Sequence, residues 1–141
     1  MKFWDASAIV PLVVSEPPSD SLFALLETDA AMVVWWGTPV EAASALARRE
    51  REGALPAQGV AHALERLRAL ARSWHEVLPV DAVRTGAQRL LRLHPLRAAD
   101  ALQLAAAILA SEHDPASLEF VGLDDRLNEA ASREGFRVIR P

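Results

Sequence analysis

Short apolar runs bounded by turn residues alternate with longer segments of helical period along the whole 141-residue chain. Lys2–Asp5, Met32–Trp36, Trp74–Val80, Leu118–Leu123 and Phe136–Ile139 read as strands, with Met32–Trp36 a buried one. Ala6–Val14 reads as a loop turning into a short helix, and Glu16-Pro17-Pro18-Ser19 punctuates the chain before a helical stretch holding Leu22, Leu25 and Leu26. Further helices are expected over Thr38–Glu52 (closed by Gly53), Ala57–Ser73, Asp81–Leu93 (stopped by His94-Pro95), Arg97–Glu112 and Asp125–Glu134 (closed by Gly135). Such alternation predicts an α/β fold with a mainly parallel sheet and helices on both faces. No repeat, low-complexity tract or linker divides residues 1–141, so a single domain is expected.

Composition narrows the chemistry. The apolar half of the chain suffices for a real core. Cysteine is absent, which removes disulfides and thiolate metal ligands. Asp5 interrupts the apolar start and no small-residue cleavage site follows, so the N-terminus does not read as a signal peptide. No stretch approaches the roughly 20 apolar residues of a membrane helix. A soluble cytoplasmic protein with no membrane association is the expectation. The net charge of −4 weighs against a generic nucleic-acid binder. It leaves room for a site that concentrates carboxylates around a cation. Lys2 is the one lysine, so the remaining positive charge is arginine, suited to bidentate phosphate contact.

In parallel sheets of this type, sites gather at the carboxyl ends of the strands. Asp5 ends the first strand, Glu41 lies just beyond the second, and Asp124 ends the strand Leu118–Leu123. Asp100 starts the helix on the same side of the sheet. Each also has an ordinary structural role. Asp5 and either Asp124 or Asp125 could be N-caps. Thr38-Pro39-Val40-Glu41 matches a capping box with Thr38 as N-cap and Glu41 at N3. Asp100 stands apart, because Ala98–Ala110 is apolar almost all round and should be buried on most sides. A lone carboxylate there costs several kcal/mol unless it meets a charge or a metal. Arg97, three residues earlier, is the structural alternative. Converging carboxylates raise each other's pKa or demand a cation. Oxygen-only ligands favour Mg²⁺ or Mn²⁺. The four histidines (His62, His75, His94, His113) lack metal-ligand spacing, which argues against zinc.

Four ordered segments, Asp5-Ala6-Ser7-Ala8, Thr38-Pro39-Val40-Glu41, Arg97-Ala98-Ala99-Asp100-Ala101-Leu102-Gln103-Leu104-Ala105 and Phe120-Val121-Gly122-Leu123-Asp124-Asp125-Arg126-Leu127, resemble the acidic motifs of the PIN domain, most closely those of VapC-type toxins. The third is the most specific of the four, and the resemblance spans essentially the whole chain. It implies a three-layer α/β/α sandwich and Mg²⁺- or Mn²⁺-dependent endoribonuclease activity. Asp5, Glu41, Asp100 and Asp124 would form the catalytic quartet, with Asp5, Asp100 and Asp124 holding metal. Ser7 would support Asp5, although a serine at a helix start is equally ordinary. The resemblance also implies an RNA substrate, a cognate antitoxin partner and, as in many family members, a homodimer. Many relatives carry Thr or Ser two residues before the fourth acid, where this chain has Gly122, and Asp125 could share or replace the role of Asp124.

The implied mechanism is phosphodiester hydrolysis by metal-activated water, with Glu41 ligating or accepting the water's proton and Arg48, Arg49 or Arg97 contacting phosphates. Two other classes fit less well. A phosphotransfer receiver needs a late lysine, and a haloacid-dehalogenase-like phosphatase wants Asp-x-Asp where Asp5-Ala6-Ser7 stands. A catalytically weak or inactive PIN domain serving as an interaction module is the main alternative. Trp35 and Trp36 could belong to a partner groove, or be a core residue followed by a partly exposed neighbour.

Overall fold

Five short strands hydrogen-bond side by side, all parallel, in the order β3-β2-β1-β4-β5. They are β1 (Lys2–Trp4), β2 (Met32–Trp35), β3 (His75–Val77), β4 (Glu119–Val121) and β5 (Arg137–Ile139). Seven helices flank them: α1 (Ala6–Val13), α2 (Ser19–Thr28), α3 (Thr38–Arg51), α4 (Ala57–Ala71), α5 (Asp81–Leu93), α6 (Ala98–Ala110) and α7 (Asp125–Arg133). This computed structural model describes Met1–Pro141. The architecture is the three-layer α/β/α sandwich, with α1–α4 on one face of the sheet and α5–α7 on the other.

Alternation along each strand divides the core. Phe3, Val33, Trp35 and Phe120 point into the α5–α7 layer, and Phe3 stacks on Phe120 with centroids 5.5 Å apart. Trp4, Met32, Val34 and Val121 point into the α1–α4 layer. Because both faces are covered, adjacent apolar residues (Phe3-Trp4, Met32–Trp35, Phe120-Val121) replace strict alternation in the central strands. Burial of each such side chain stabilises by about 1.5–3 kcal/mol. The single lysine is structural. Lys2 lies buried at the start of β1 with its ammonium 3.1 Å from both Asp29 and Glu119. Burial pushes its pKa down, but those hydrogen bonds outweigh it and hold the ammonium more firmly protonated than usual.

Element ends differ from expectation where backbone chemistry intervenes. The helix over Ala6–Val13 begins at once, with no loop, because Asp5 caps it. Trp36 leaves the sheet and is 52% exposed, whereas Trp35 is buried. The expected strand Trp74–Val80 shrinks to His75–Val77, as Pro79 has no N–H to give a ladder and Val80 turns back onto Leu78. The helix α6 ends at Ala110, short of Glu112, because Glu112 and His113 adopt left-handed backbone. Gly53 (φ 75°) and Gly135 (φ 103°) close α3 and α7 as expected.

The connections from β1 run toward β2 and β3, and those from β4 run toward β5. The order therefore reverses between β1 and β4, and the crevice beyond their carboxyl ends is where sheets of this kind place a site. No helix is long and apolar enough to cross a membrane.

Candidate functional site

Asp5 stands directly at that switch point. Its main-chain N–H donates to the Val121 carbonyl at 2.9 Å, extending the β1–β4 ladder by one residue. Its side chain caps α1 by accepting from the Ser7 N–H at 3.1 Å. The same carboxylate oxygen accepts from the Ser7 hydroxyl. That hydroxyl in turn accepts from the Leu123 N–H at 2.9 Å. Asp5 is thus a cap and also a carboxylate only 4% exposed. Burial pushes its pKa up to about 6, with the Ser7 bonds opposing and the charge of Asp100 adding to the rise.

Glu41 does not close a capping box. Gly37 is the N-cap of α3, without a side-chain bond, and Thr38 lies inside the helix, fully buried. A side chain on Gly37 would run into the Trp35 indole, with a Cβ 2.6 Å from its ring nitrogen, so glycine is the residue that lets α3 start here. The Gln103 amide nitrogen, reaching across from α6, donates to Glu41 Oε2 at 2.6 Å and to Thr38 Oγ1 at 3.2 Å. Burial raises the Glu41 pKa to about 7. The Gln103 bond pulls it down, while the charges of Asp5 and Asp100 push it further up.

Asp100 is half-buried in the first turn of α6, not ringed by apolar neighbours as its segment suggested. The apolar positions come after it, at Ala101 and Leu104–Ala107. Its carboxylate accepts from the Arg97 main-chain N–H at 3.2 Å, so the pairing is with backbone and not with the guanidinium. Its pKa is raised by burial first and by Asp124 next, against the Arg97 N–H and the charges of Arg97 and Arg126. Asp124 is exposed and caps α7, accepting from the Leu127 N–H at 2.8 Å.

These four carboxylates meet in one cleft of about 400 Å³ between α1, α3, α6 and the β4–α7 turn. Ser7 lines it too, as do Glu16, Arg48 and Arg49, and Arg49 is held by Glu16 at 2.7 Å. A neighbouring cleft of about 480 Å³ shares Asp100 and Asp124 and adds Arg97, Asp125 and Arg126. Asp124 therefore reaches the carboxylate cleft and Asp125 does not. Five acids against two arginines make the first cleft electronegative. Its donors are oxygens alone, which is the chemistry that Mg²⁺ or Mn²⁺ takes. No three acidic or histidine groups are drawn tightly around one point as they stand. Asp100 and Asp124 each accept one backbone N–H, and a cation would offset the burial and the mutual repulsion that raise Asp5, Glu41 and Asp100. The donor set fits such an ion.

Two further residues, Gln103 and Asn128, support the site. Gln103 stands out in sequence as the one uncharged polar residue in the otherwise apolar segment Ala101–Ala110. Asn128 donates from Nδ2 to the Gly122 carbonyl at 2.9 Å. It also explains the missing hydroxyl, because a Cβ on Gly122 would lie 2.6 Å from Asn128 Oδ1 and 3.1 Å from the Phe120 ring.

Among solved structures, the chain is similar to the crystal structure of PAE2754 from Pyrobaculum aerophilum, with a TM-score of 0.60 and 22% identity over 92% of this chain and 78% of that one. That likeness shows the fold. No protein-family model and no curated protein matches the chain.

Proposed function

We propose that this chain is a metal-dependent endoribonuclease that hydrolyses RNA phosphodiesters in the cytoplasm, and that it is the toxin of a type II toxin–antitoxin pair. The observation that carries the nuclease assignment is the convergence of Asp5, Glu41, Asp100 and Asp124, from four separate segments, in one cleft at the switch point. Asp5, Asp100 and Asp124 would hold Mg²⁺ or Mn²⁺. When bound, the ion supplies a lowered water pKa and charge neutralisation at phosphate.

The chain's own residues do the rest. Glu41, with its pKa near 7, can accept a proton at neutral pH, where a general base is most effective. Ser7 orients the Asp5 carboxylate. Arg48 lines the cleft with no carboxylate partner of its own and is placed to meet a phosphate. The motif resemblance implies products with 5′-phosphate and 3′-hydroxyl ends.

The toxin assignment rests on the ordered motifs. Exposed apolar side chains at the carboxyl ends of β2 and β3 (Trp36, Val40, Leu78 and Val80) support a protein partner, whether an antitoxin or a second copy. The same exposed side chains favour the second reading, a weakly active or inactive PIN domain serving as an interaction module.

The deciding experiment is expression of the wild type beside Asp5→Asn and Asp100→Asn, with cleaved RNA ends mapped with and without Mg²⁺. Metal-dependent cleavage by the wild type alone is expected. Equal cleavage by all three overturns the metal-nuclease assignment at this cleft, and no cleavage by any of them favours the interaction module.

A further inference from the structure

Gln103 is 1% exposed, on a helix whose neighbouring positions are apolar. Its Nε2 makes two bonds, to Glu41 Oε2 and to Thr38 Oγ1, while its Oε1 is buried with no partner. An unpaired buried acceptor carries its full desolvation cost. A leucine or methionine would fill the same space without that cost, so packing alone does not account for the amide. What the amide achieves is directional. It occupies one oxygen of Glu41 and leaves Oε1 as the oxygen without a protein donor. Gln103 also lies three residues after Asp100 on α6, on the same side of the helix. One rigid element therefore carries Asp100 and fixes the aim of Glu41, which belongs to α3.

We propose that Gln103 is a positioning residue for Glu41, holding its free carboxylate oxygen toward the cleft in register with Asp100, with Thr38 anchoring the amide from behind. This role rests on the nuclease assignment. It places the Glu41 geometry under the control of α6, not of the loop before α3.

A double-mutant cycle read by single-turnover cleavage of a short RNA with excess protein and Mg²⁺ tests it. The proteins are the wild type, Gln103→Met, Glu41→Gln and the double variant. Gln103→Met is expected to lower the cleavage rate about 10–100-fold, the usual cost of losing a carboxylate's supporting bond, with RNA affinity changed less than about twofold. In the Glu41→Gln background the same change should cost nothing further. An equal loss in both backgrounds, or weaker RNA binding at an unchanged rate, overturns the role. Should Gln103→Met fail to fold by circular dichroism, Thr38→Val replaces it, with a smaller loss expected only where Glu41 is present. Absence of cleavage by the wild type overturns the nuclease assignment and this role with it. Cleavage with additive losses overturns this role alone.

Discussion

Ser7 and Asp5 form one hydrogen-bonded unit across the crevice between β1 and β4. The Ser7 hydroxyl donates to the Asp5 carboxylate and accepts the Leu123 N–H, so residues 5 and 123 are tied through a single side chain. The serine is more than an ordinary helix start. It sets the distance between the segment carrying Asp5 and the turn carrying Asp124.

Ser7→Ala should therefore act on both fold and site. The Leu123 N–H loses its partner in a part-buried setting, at a cost of about 1–3 kcal/mol. Asp5 loses its strongest donor, so its pKa should climb further. Urea denaturation checks the first effect, and a fall in cleavage larger than the stability loss explains checks the second.

Metal-free protein should lose stability as pH rises from about 4 to about 7. Asp5 and Glu41 ionise near pH 4 when unfolded, but burial raises them to about 6 and about 7 in the folded chain. A folded value above the unfolded one means the native state grips its proton more tightly. That stabilisation is full below about pH 4 and is lost as pH rises through 6 to 7. For Asp5 the effect is on the order of 3 kcal/mol. In EDTA, the wild type should be more stable at pH 5 than at pH 8; Asp5→Asn should flatten part of that slope and Glu41→Gln the larger part. A flat wild-type profile would refute the buried-carboxylate picture.

Divalent metal should reverse the same loss. At pH 8 the carboxylates are ionised, and Mg²⁺ or Mn²⁺ at 100 times its Kd would add about 2.7 kcal/mol, or roughly 5–10 °C in Tm for a domain of this size. At pH 5 the gain should be small, since protons compete for the same oxygens. Thermal melts of the wild type, Asp5→Asn and Asp100→Asn across a metal titration measure it. Equal shifts in all three would place the ion elsewhere.

Gly122 admits no larger residue while Asn128 keeps its place. Gly122→Ser should cost about 1–3 kcal/mol by overpacking, because its Cβ meets Asn128 Oδ1 at 2.6 Å. Asn128→Ala costs the hydrogen bond to the Gly122 carbonyl. The double variant should be less destabilised than the sum of the two, a non-additivity that denaturant midpoints resolve.

The layers were legible because burial on both faces writes consecutive apolar residues into β2 and into Phe3-Trp4 and Phe120-Val121 of β1 and β4, and because Gly53 and Gly135 punctuate helices in the one backbone conformation that favours glycine. Asp81–Leu93 matches α5 residue for residue, bracketed by the turn at Val80 and by His94-Pro95. Local pattern misled at Glu41. The capping box is a statement about four consecutive residues, and its claimants were taken by a glutamine 62 positions away. It misled at Asp100 for a related reason. Hydrophobic neighbours in sequence foretell a buried helix, but not that its first turn opens onto a cleft. The deeply buried acid is Asp5, whose surroundings come from the distant residues that the β1–β4 pairing brings beside it.

That pairing has a temporal side. Strand β1 is the central strand and the first of the five in chain order, yet one of its two partners, β4, begins at residue 119. During synthesis that edge beside Asp5 stays unpaired until β4 has been made, and closing so long a loop slows assembly. The cleft has no Asp124 wall until the β4–α7 turn exists. The four-carboxylate cleft is therefore complete only once the chain has been made through the start of α7.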